Sequence, residues 1–133
     1  MNEDQLFEGV CACIRQTLGK ELPDIKETDR LVEDLGADSL DLLDLVFRLE
    51  KTFQVRVNPR DLEKRTQEVL GDKPMISDGN YTAEAVEEFR KSMPEVPEQE
   101  LYAGMPLSSL PASFRVRTFM NLVAHMQSGG KVL

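Results

Sequence analysis

The chain has 133 residues, 41% of them hydrophobic, and a net charge of −8 at pH 7. This length suggests one domain, and a monomer of this size buries roughly two-thirds of its unfolded surface. The negative charge argues against a nucleic-acid partner. Since no apolar run is long enough to span a bilayer and the start Met-Asn-Glu-Asp does not resemble a signal peptide, we expect a cytoplasmic protein.

The first predicted helix runs from Glu3 to Leu18. Asn2 and Gln5 have the spacing of a capping box at its start. Its apolar residues recur every four positions, which is typical of one buried helix face: Leu6, Val10, Ile14 and Leu18. The segment Lys20–Asp38 reads as a long loop, with apolar anchors at Ile25, Leu31 and Leu35. A loop of this length in a small domain favours a functional role.

The second predicted helix covers Ser39–Phe53. Asp38 is a good N-cap, because its carboxylate can accept hydrogen bonds from the first backbone N–H groups. Gly36 allows a sharp entry turn with a positive φ. The predicted core stripe of this helix is Leu42, Val46, Leu49 and Phe53. Ser39 is therefore held at a helix start, with a packed face behind it.

Charge is unevenly distributed around this helix. From Glu33 to Glu50 there are six acidic residues and one basic residue, Arg48. If this face is exposed, it steers the protein towards basic surfaces of partners. A face that is merely solvated is the alternative.

Further elements are predicted after the second helix. They are a short helix over Pro59–Arg65 capped by Asn58, a turn-rich connector over Gly71–Asn80, a helix over Ala83–Ser92 capped by Thr82, a turn around Glu98–Tyr102, and a final helix over Pro111–Gln127. Basic residues lie in or near the third helix: Arg56, Arg60, Lys64 and Arg65. They form a basic patch that changes what can dock there, or they are solvated charges balanced by Asp61, Glu63 and Glu68.

No catalytic or metal site is expected. Cys11 and Cys13 are two positions apart on a helix and point in different directions, so we interpret them as buried or half-buried packing residues. His125 is the only histidine. Without a base beside a serine or cysteine, the sequence predicts neither a hydrolase triad nor a metal cluster.

The stretch Val32-Glu33-Asp34-Leu35-Gly36-Ala37-Asp38-Ser39-Leu40-Asp41 resembles the signature of the acyl carrier protein family. The resemblance covers roughly residues 2–64. It implies an all-α, up-down bundle of four helices with a long first loop. It also implies a non-catalytic carrier, a phosphoprotein of fatty acid or lipid biosynthesis. Acyl groups would be held as thioesters on a 4′-phosphopantetheine arm, which a phosphopantetheinyl transferase adds from coenzyme A.

By this resemblance, the attachment residue is Ser39. The residues expected around the arm are Gly36, Asp38 and Leu40. The residues expected to recognise acyl-transferring and lipid-synthesis enzymes are Asp34, Leu40, Asp41, Asp44, Phe47 and Glu50. The alternative for Leu40 and Phe47 is that both lie at the edge of the core. A monomer with transient contacts is expected, because a carrier passes between enzymes.

The second half of the chain departs from the family, which needs only one closing helix after the third. We expect a single acyl-carrier domain over 1–133, with a core of 2–66, a connector and extra helix over 67–110, and a final helix over 111–128. In the preferred arrangement, 67–113 is an insertion and the last helix closes the bundle. In the other arrangement, Ala83–Ser92 closes it.

The insertion and the basic third helix favour a specialised carrier over a housekeeping one. Two other functions stay open. One is a free-standing carrier for polyketide or peptide synthesis. The other is an unmodified acidic helical module that binds a basic partner.

Overall fold

Helices dominate the part of the chain that the computed structural model describes, residues 2–56 and 61–128. The elements are α1 (Glu3–Leu18), α2 (Ser39–Phe53), α3 (Asp61–Leu70), β1 (Ile76–Ser77), β2 (Asn80–Tyr81), α4 (Ala83–Ser92), α5 (Ser109–Ala112) and α6 (Val116–Gln127), with a short 3-10 turn over Glu98–Glu100. The all-α prediction is confirmed. Within the described ranges, no helix is both long and apolar enough to cross a membrane.

The chain divides into two compact units. Unit 1 comprises Met1–Pro59 and Arg115–Leu133, and unit 2 comprises Arg60–Phe114. This division differs from the predicted boundary after residue 66, because α3 packs against α4 and falls in unit 2. α6 packs against α1 and α2.

Unit 1 is built from α1, α2, α6 and the long loop. The capping box predicted for α1 is present, with Asn2 and Gln5 bonding reciprocally. Gly9 lies against the ring of Phe53, and a β-carbon at Gly9 would lie only 2.6 Å from its Cζ. The three helices of unit 1 bury the following residues: Leu6, Val10, Cys11, Cys13, Ile14, Leu45, Val46, Leu49, Val116, Phe119, Met120 and Val123. The predicted loop anchors Ile25, Leu31 and Leu35 are also buried.

The core face of α2 is rotated from the predicted stripe. Leu45, Val46 and Leu49 are buried, whereas Leu42 and Phe53 are only half-buried. α2 packs against both α1 and α6, and the adjacent residues Leu45 and Val46 are both buried.

Unit 2 has its own hydrophobic cluster around α4. Its buried members are Tyr81, Ala85, Val86, Phe89, Met93, Val96, Leu101, Met105 and Leu110. The rings of Tyr81 and Phe89 meet edge to face, with centroids 4.8 Å apart. The predicted connector contains a β-hairpin, in which Ile76 pairs with Tyr81 and Asp78-Gly79 forms the two-residue turn.

Two helix boundaries were predicted wrongly. The third helix continues to Leu70 rather than ending at Arg65; its predicted cap and first position, Asn58 and Pro59, lie outside the described residues. The final helix begins at Val116. The chain leaves the helical conformation before it because Arg115 is extended and forms an antiparallel bridge with Arg30 of the loop.

Candidate functional site

The start of α2 is organised by a reciprocal cap between two aspartates. The Asp41 backbone N–H donates to Asp38 Oδ1 at 2.9 Å, and the Asp38 backbone N–H donates to Asp41 Oδ2 at 3.0 Å. Asp38 is extended, as an N-cap requires. Gly36 has a φ of 79°, the left-handed conformation that the sequence suggested. The predicted entry turn and cap are therefore confirmed.

Ser39 is the first residue of α2, and its side chain is exposed. Because Asp38 supplies the cap, the fold does not require the Ser39 hydroxyl for that purpose. The next residue, Leu40, is 76% exposed, so its side chain also points away from the core. A helix start also favours a bound anion such as a phosphodiester. These residues fit the attachment of a phosphorylated arm at Ser39.

The loop that leads into this cap is closed by backbone hydrogen bonds. The Asp34 and Leu35 N–H groups both donate to the Arg30 carbonyl, and the Ala37 N–H donates to the Leu31 carbonyl at 2.8 Å. Ala37 is buried directly before the N-cap. The segment is therefore a structured turn, although it contains no helix.

Asp34 has a structural role in this turn. Its Oδ2 accepts the Arg30 backbone N–H at 2.8 Å and lies 3.4 Å from the Arg30 guanidinium Nε. The backbone hydrogen bond from Arg30 is the main reason why the pKa of Asp34 is lowered from its ordinary 3.8, and the Arg30 and Arg115 charges lower it further. Arg30, which the sequence did not single out, is thus the partner of a predicted recognition residue.

The exposed face of α2 carries a strip of apolar side chains. Leu40 and Phe47 are 76% and 54% exposed. Leu43, which the sequence analysis missed, is 46% exposed and lies between them at helical spacing. The same three-and-four spacing, shifted from the core stripe, was a signal in the sequence that could have found it.

Acidic residues flank this strip. Asp44 forms an ion pair with Arg48, with Nε and Oδ2 2.9 Å apart, and Asp41 is engaged in the cap. A shallow open groove on the same helix is lined by Asp44, Phe47, Glu50 and Lys51. Five of the predicted recognition residues therefore lie along α2, whereas Asp34 lies in the preceding turn.

The cysteines are packing residues, as predicted. Both are buried and free, and Cys13 Sγ donates to Thr52 Oγ1 at 3.3 Å. Burial raises the pKa of the Cys11 thiol to about 11, so it is protonated at neutral pH. Over residues 2–56 and 61–128, no cluster of histidine, cysteine and carboxylate side chains could hold a metal ion.

Comparison with known proteins identifies the same region. A family model described as a phosphopantetheine attachment site matches residues 8–72, a stretch that contains Ser39. No solved structure matches the chain.

Curated relatives share this part of the chain. The acyl carrier protein of Thermotoga maritima is 43% identical over 63 residues, covering 47% of this chain and 78% of the relative. Acyl carrier proteins of Campylobacter jejuni subsp. doylei and Wolinella succinogenes are 38% and 36% identical, each over 44% of this chain and over 75% and 78% of their own lengths. The chain belongs to the acyl carrier protein family.

Proposed function

We propose that this protein carries acyl groups on a 4′-phosphopantetheine arm attached to Ser39, in fatty acid or specialised lipid biosynthesis. The observation that carries the proposal is an exposed serine at the first position of a capped helix, inside the stretch that matches a phosphopantetheine attachment site. The arm supplies a terminal thiol on which the cargo is held as a thioester. The protein itself acts as a substrate and carrier, not as a catalyst.

Attachment changes one bond of the chain. Ser39 Oγ loses its proton and forms a bond to the pantetheine-bearing phosphorus of coenzyme A, while the phosphorus–oxygen bond to the adenosine 3′,5′-bisphosphate leaving group breaks. A phosphopantetheinyl transferase supplies the base. The chain contributes position and exposure: Asp38 caps the helix start, and the left-handed backbone of Gly36 allows the turn that leads into it.

The exposed strip on α2 supports a docking role. Leu40, Leu43 and Phe47 offer apolar contact next to the reactive serine, and the surrounding carboxylates favour enzymes with basic surfaces. We propose this strip as the surface used by the transferase and by acyl-transferring enzymes. Because several enzymes would bind this strip in turn, we expect a cytoplasmic monomer that releases each partner.

Intact mass after incubation with coenzyme A and a broad-specificity phosphopantetheinyl transferase tests the proposal. Wild type is expected to gain one phosphopantetheine and Ser39→Ala none. Ser92→Ala, which removes an exposed serine at the end of α4, is the matched control and should be modified like wild type. Failure of folded wild type to gain mass, beside a control carrier that does, would favour the unmodified interaction module.

Unit 2 supports the narrower proposal of a dedicated pathway. The matched family region ends at residue 72, while the hydrophobic cluster of unit 2 continues to Leu110. Of the basic residues singled out in the sequence, Arg56 belongs to unit 1, Lys64 and Arg65 belong to unit 2, and Arg60 is outside the described residues. If a general fatty-acid synthase system elongates chains on this protein as well as on a housekeeping carrier, the dedicated pathway is excluded.

A further inference from the structure

The first residues of α6 are bonded to the loop that precedes the attachment serine. The Val116 N–H donates to the Asp29 carbonyl and the Arg117 N–H to the Glu27 carbonyl, both at 2.9 Å. Arg115 and Arg30 form an antiparallel bridge. Since the first N–H groups of a helix have no partner within the helix, these loop carbonyls complete the start of α6. We call the segment Arg115–Arg117 the loop clamp.

The side chain of Arg117 extends the loop clamp to a third element. Its Nη1 and Nη2 lie 2.6 and 3.1 Å from the two carboxylate oxygens of Glu3 on α1, and Nη1 lies 3.2 Å from Glu27 Oε1. A two-point arginine–carboxylate pair fixes orientation as well as distance. One guanidinium therefore ties α1, the loop and α6 together.

Hydrogen bonds connect the loop residues held by the clamp to the turn before the attachment serine. Residue 30 is held by Arg115 on one side, and its carbonyl accepts the N–H groups of Asp34 and Leu35 on the other. The turn closed in this way ends at Ala37, next to the N-cap Asp38. A series of hydrogen bonds thus connects the loop clamp, through Arg30, to the residue that precedes the N-cap of α2.

We propose that Arg117 is a positioning residue for modification at Ser39: by joining Glu3 and Glu27, it holds the loop in the conformation that a phosphopantetheinyl transferase recognises. The inference rests on the proposed function. If only a fraction of molecules holds the competent conformation, the apparent KM for the carrier rises by the inverse of that fraction, while kcat is unchanged.

The experiment measures transferase kcat and KM for Arg117→Gln and Glu3→Gln at a temperature where circular dichroism shows both to be folded. Both variants are expected to raise KM by about 1.5-fold to threefold with kcat unchanged, because loss of an exposed ion pair shifts a conformational equilibrium by at most about fivefold. The double variant should raise KM no further than Arg117→Gln alone, because that change already removes the pair with Glu3. Arg117→Lys, which keeps the charge without the two-point geometry, should recover part of the loss.

The paired design separates positioning from a direct charge effect on docking. Arg117→Gln makes the carrier more acidic and Glu3→Gln makes it less acidic, so simple attraction to a basic enzyme would move KM in opposite directions. Opposite shifts, or no shift in either variant, would overturn the inference. Lys91→Gln, which removes one exposed ion pair in unit 2, is the control and should leave KM unchanged.

Hydrogen exchange of the unmodified protein gives a readout without the enzyme. Amides of residues 29–37 should exchange faster in Arg117→Gln and Glu3→Gln than in wild type, and at the wild-type rate in Lys91→Gln. Unchanged exchange in the first two variants would contradict the loop clamp. Absence of modification in wild type would instead refute the carrier function, so the two failures are distinguishable.

Discussion

The two units of the chain use different means to fix their structure. Unit 2 is centred on one continuous hydrophobic cluster, with Phe89 completely buried and its neighbours supplied by α4, the hairpin and the following loop. Unit 1 packs three helices but also carries a long loop held by backbone hydrogen bonds and by the Glu3–Arg117–Glu27 ion pairs. The candidate site lies in unit 1, at the end of that loop.

The helices α2 and α4 also differ in the exposure of their large apolar residues. On α2, three large apolar residues close to Ser39 remain at least 46% exposed. Unit 1 therefore lacks the free energy of folding that burial of these side chains would contribute. Exposed apolar strips of this kind are typical of interaction sites. In unit 2, the large apolar residues of α4 are buried, and they pack in the hydrophobic cluster of that unit.

The largest expected effect tests whether the two cores are separate. Phe89→Ala should destabilise unit 2 by about 3–5 kcal/mol, because it removes a fully buried ring and leaves a cavity. Hydrogen exchange should show lost protection over Arg60–Phe114 and retained protection in α1 and α2, with Ser39 still modified by the transferase.

The matched change in unit 1 is Leu49→Ala, also at a fully buried position. It should cost about 2–5 kcal/mol and reverse the pattern, with protection lost in α1 and α2 and modification of Ser39 reduced. Simultaneous loss of protection in both units in either variant would show that they unfold as one cooperative body.

A substitution in the hairpin turn of unit 2 should destabilise the protein less than the two core substitutions. Gly79 has a φ of 82°, which a β-branched side chain adopts poorly, so Gly79→Val should cost roughly 1–2 kcal/mol. Urea unfolding followed by exchange in β1 and β2 would measure it. Asp78→Asn is the control, because asparagine also tolerates the positive φ found there, and it should leave the midpoint unchanged.

Removal of one helix N-cap in each unit should lower the free energy of unfolding by similar amounts. Thr82 accepts the Ala85 N–H and also donates to the Pro74 carbonyl, so Thr82→Ala should destabilise unit 2 by about 1 kcal/mol. Asp38→Ala should destabilise unit 1 by a similar amount, about 1 kcal/mol, and should also slow modification at Ser39. If Thr82→Ala slows modification equally, the cap effect is not local to the site. Thr82→Ser and Asp38→Asn keep the caps and serve as controls.

A fall in pH is expected to produce the smallest change in the free energy of unfolding, and this change is expected in unit 1. Hydrogen bonding to Arg117 lowers the pKa of Glu3 from its ordinary 4.5, and Arg30 lowers that of Asp34 from 3.8. A lowered pKa in the folded state means that ionisation stabilises the fold above the ordinary value, and that this contribution is lost as pH falls through the folded value.

Urea midpoints of unit 1 at pH 6 and at pH 3 would measure this loss. Arg117→Gln should depend less on pH over the same window, because Glu3 then has an ordinary environment. A dependence equal to that of wild type would show that the ion pair contributes nothing to stability.

Much of unit 1 follows from local sequence. The bounds of α1 and α2 were predicted correctly, because their caps, Asn2 and Asp38, are short-range signals that the backbone satisfies within three residues. The positive φ of Gly36 and the burial of the three loop anchors were also predicted. The motif around Ser39 was sufficient to identify the family that the comparisons show.

Two of the errors have a common physical origin. The final helix was predicted from Pro111 but begins at Val116, and nothing local shows that residue 115 pairs with residue 30. The core face of α2 was rotated, because periodicity alone does not tell how many helices pack on it. The hairpin was missed although its Asp-Gly turn is a recognised signal.

The sequence by itself determined the attachment motif, the helix starts and the all-α class, because each depends on residues close together along the chain. Only the tertiary structure decided that α3 packs with α4, that α6 packs with α1 and α2, and that Arg117 joins Glu3 to Glu27. These contacts join residues far apart in sequence. Their energy depends on which surfaces meet, and a local pattern does not contain that information.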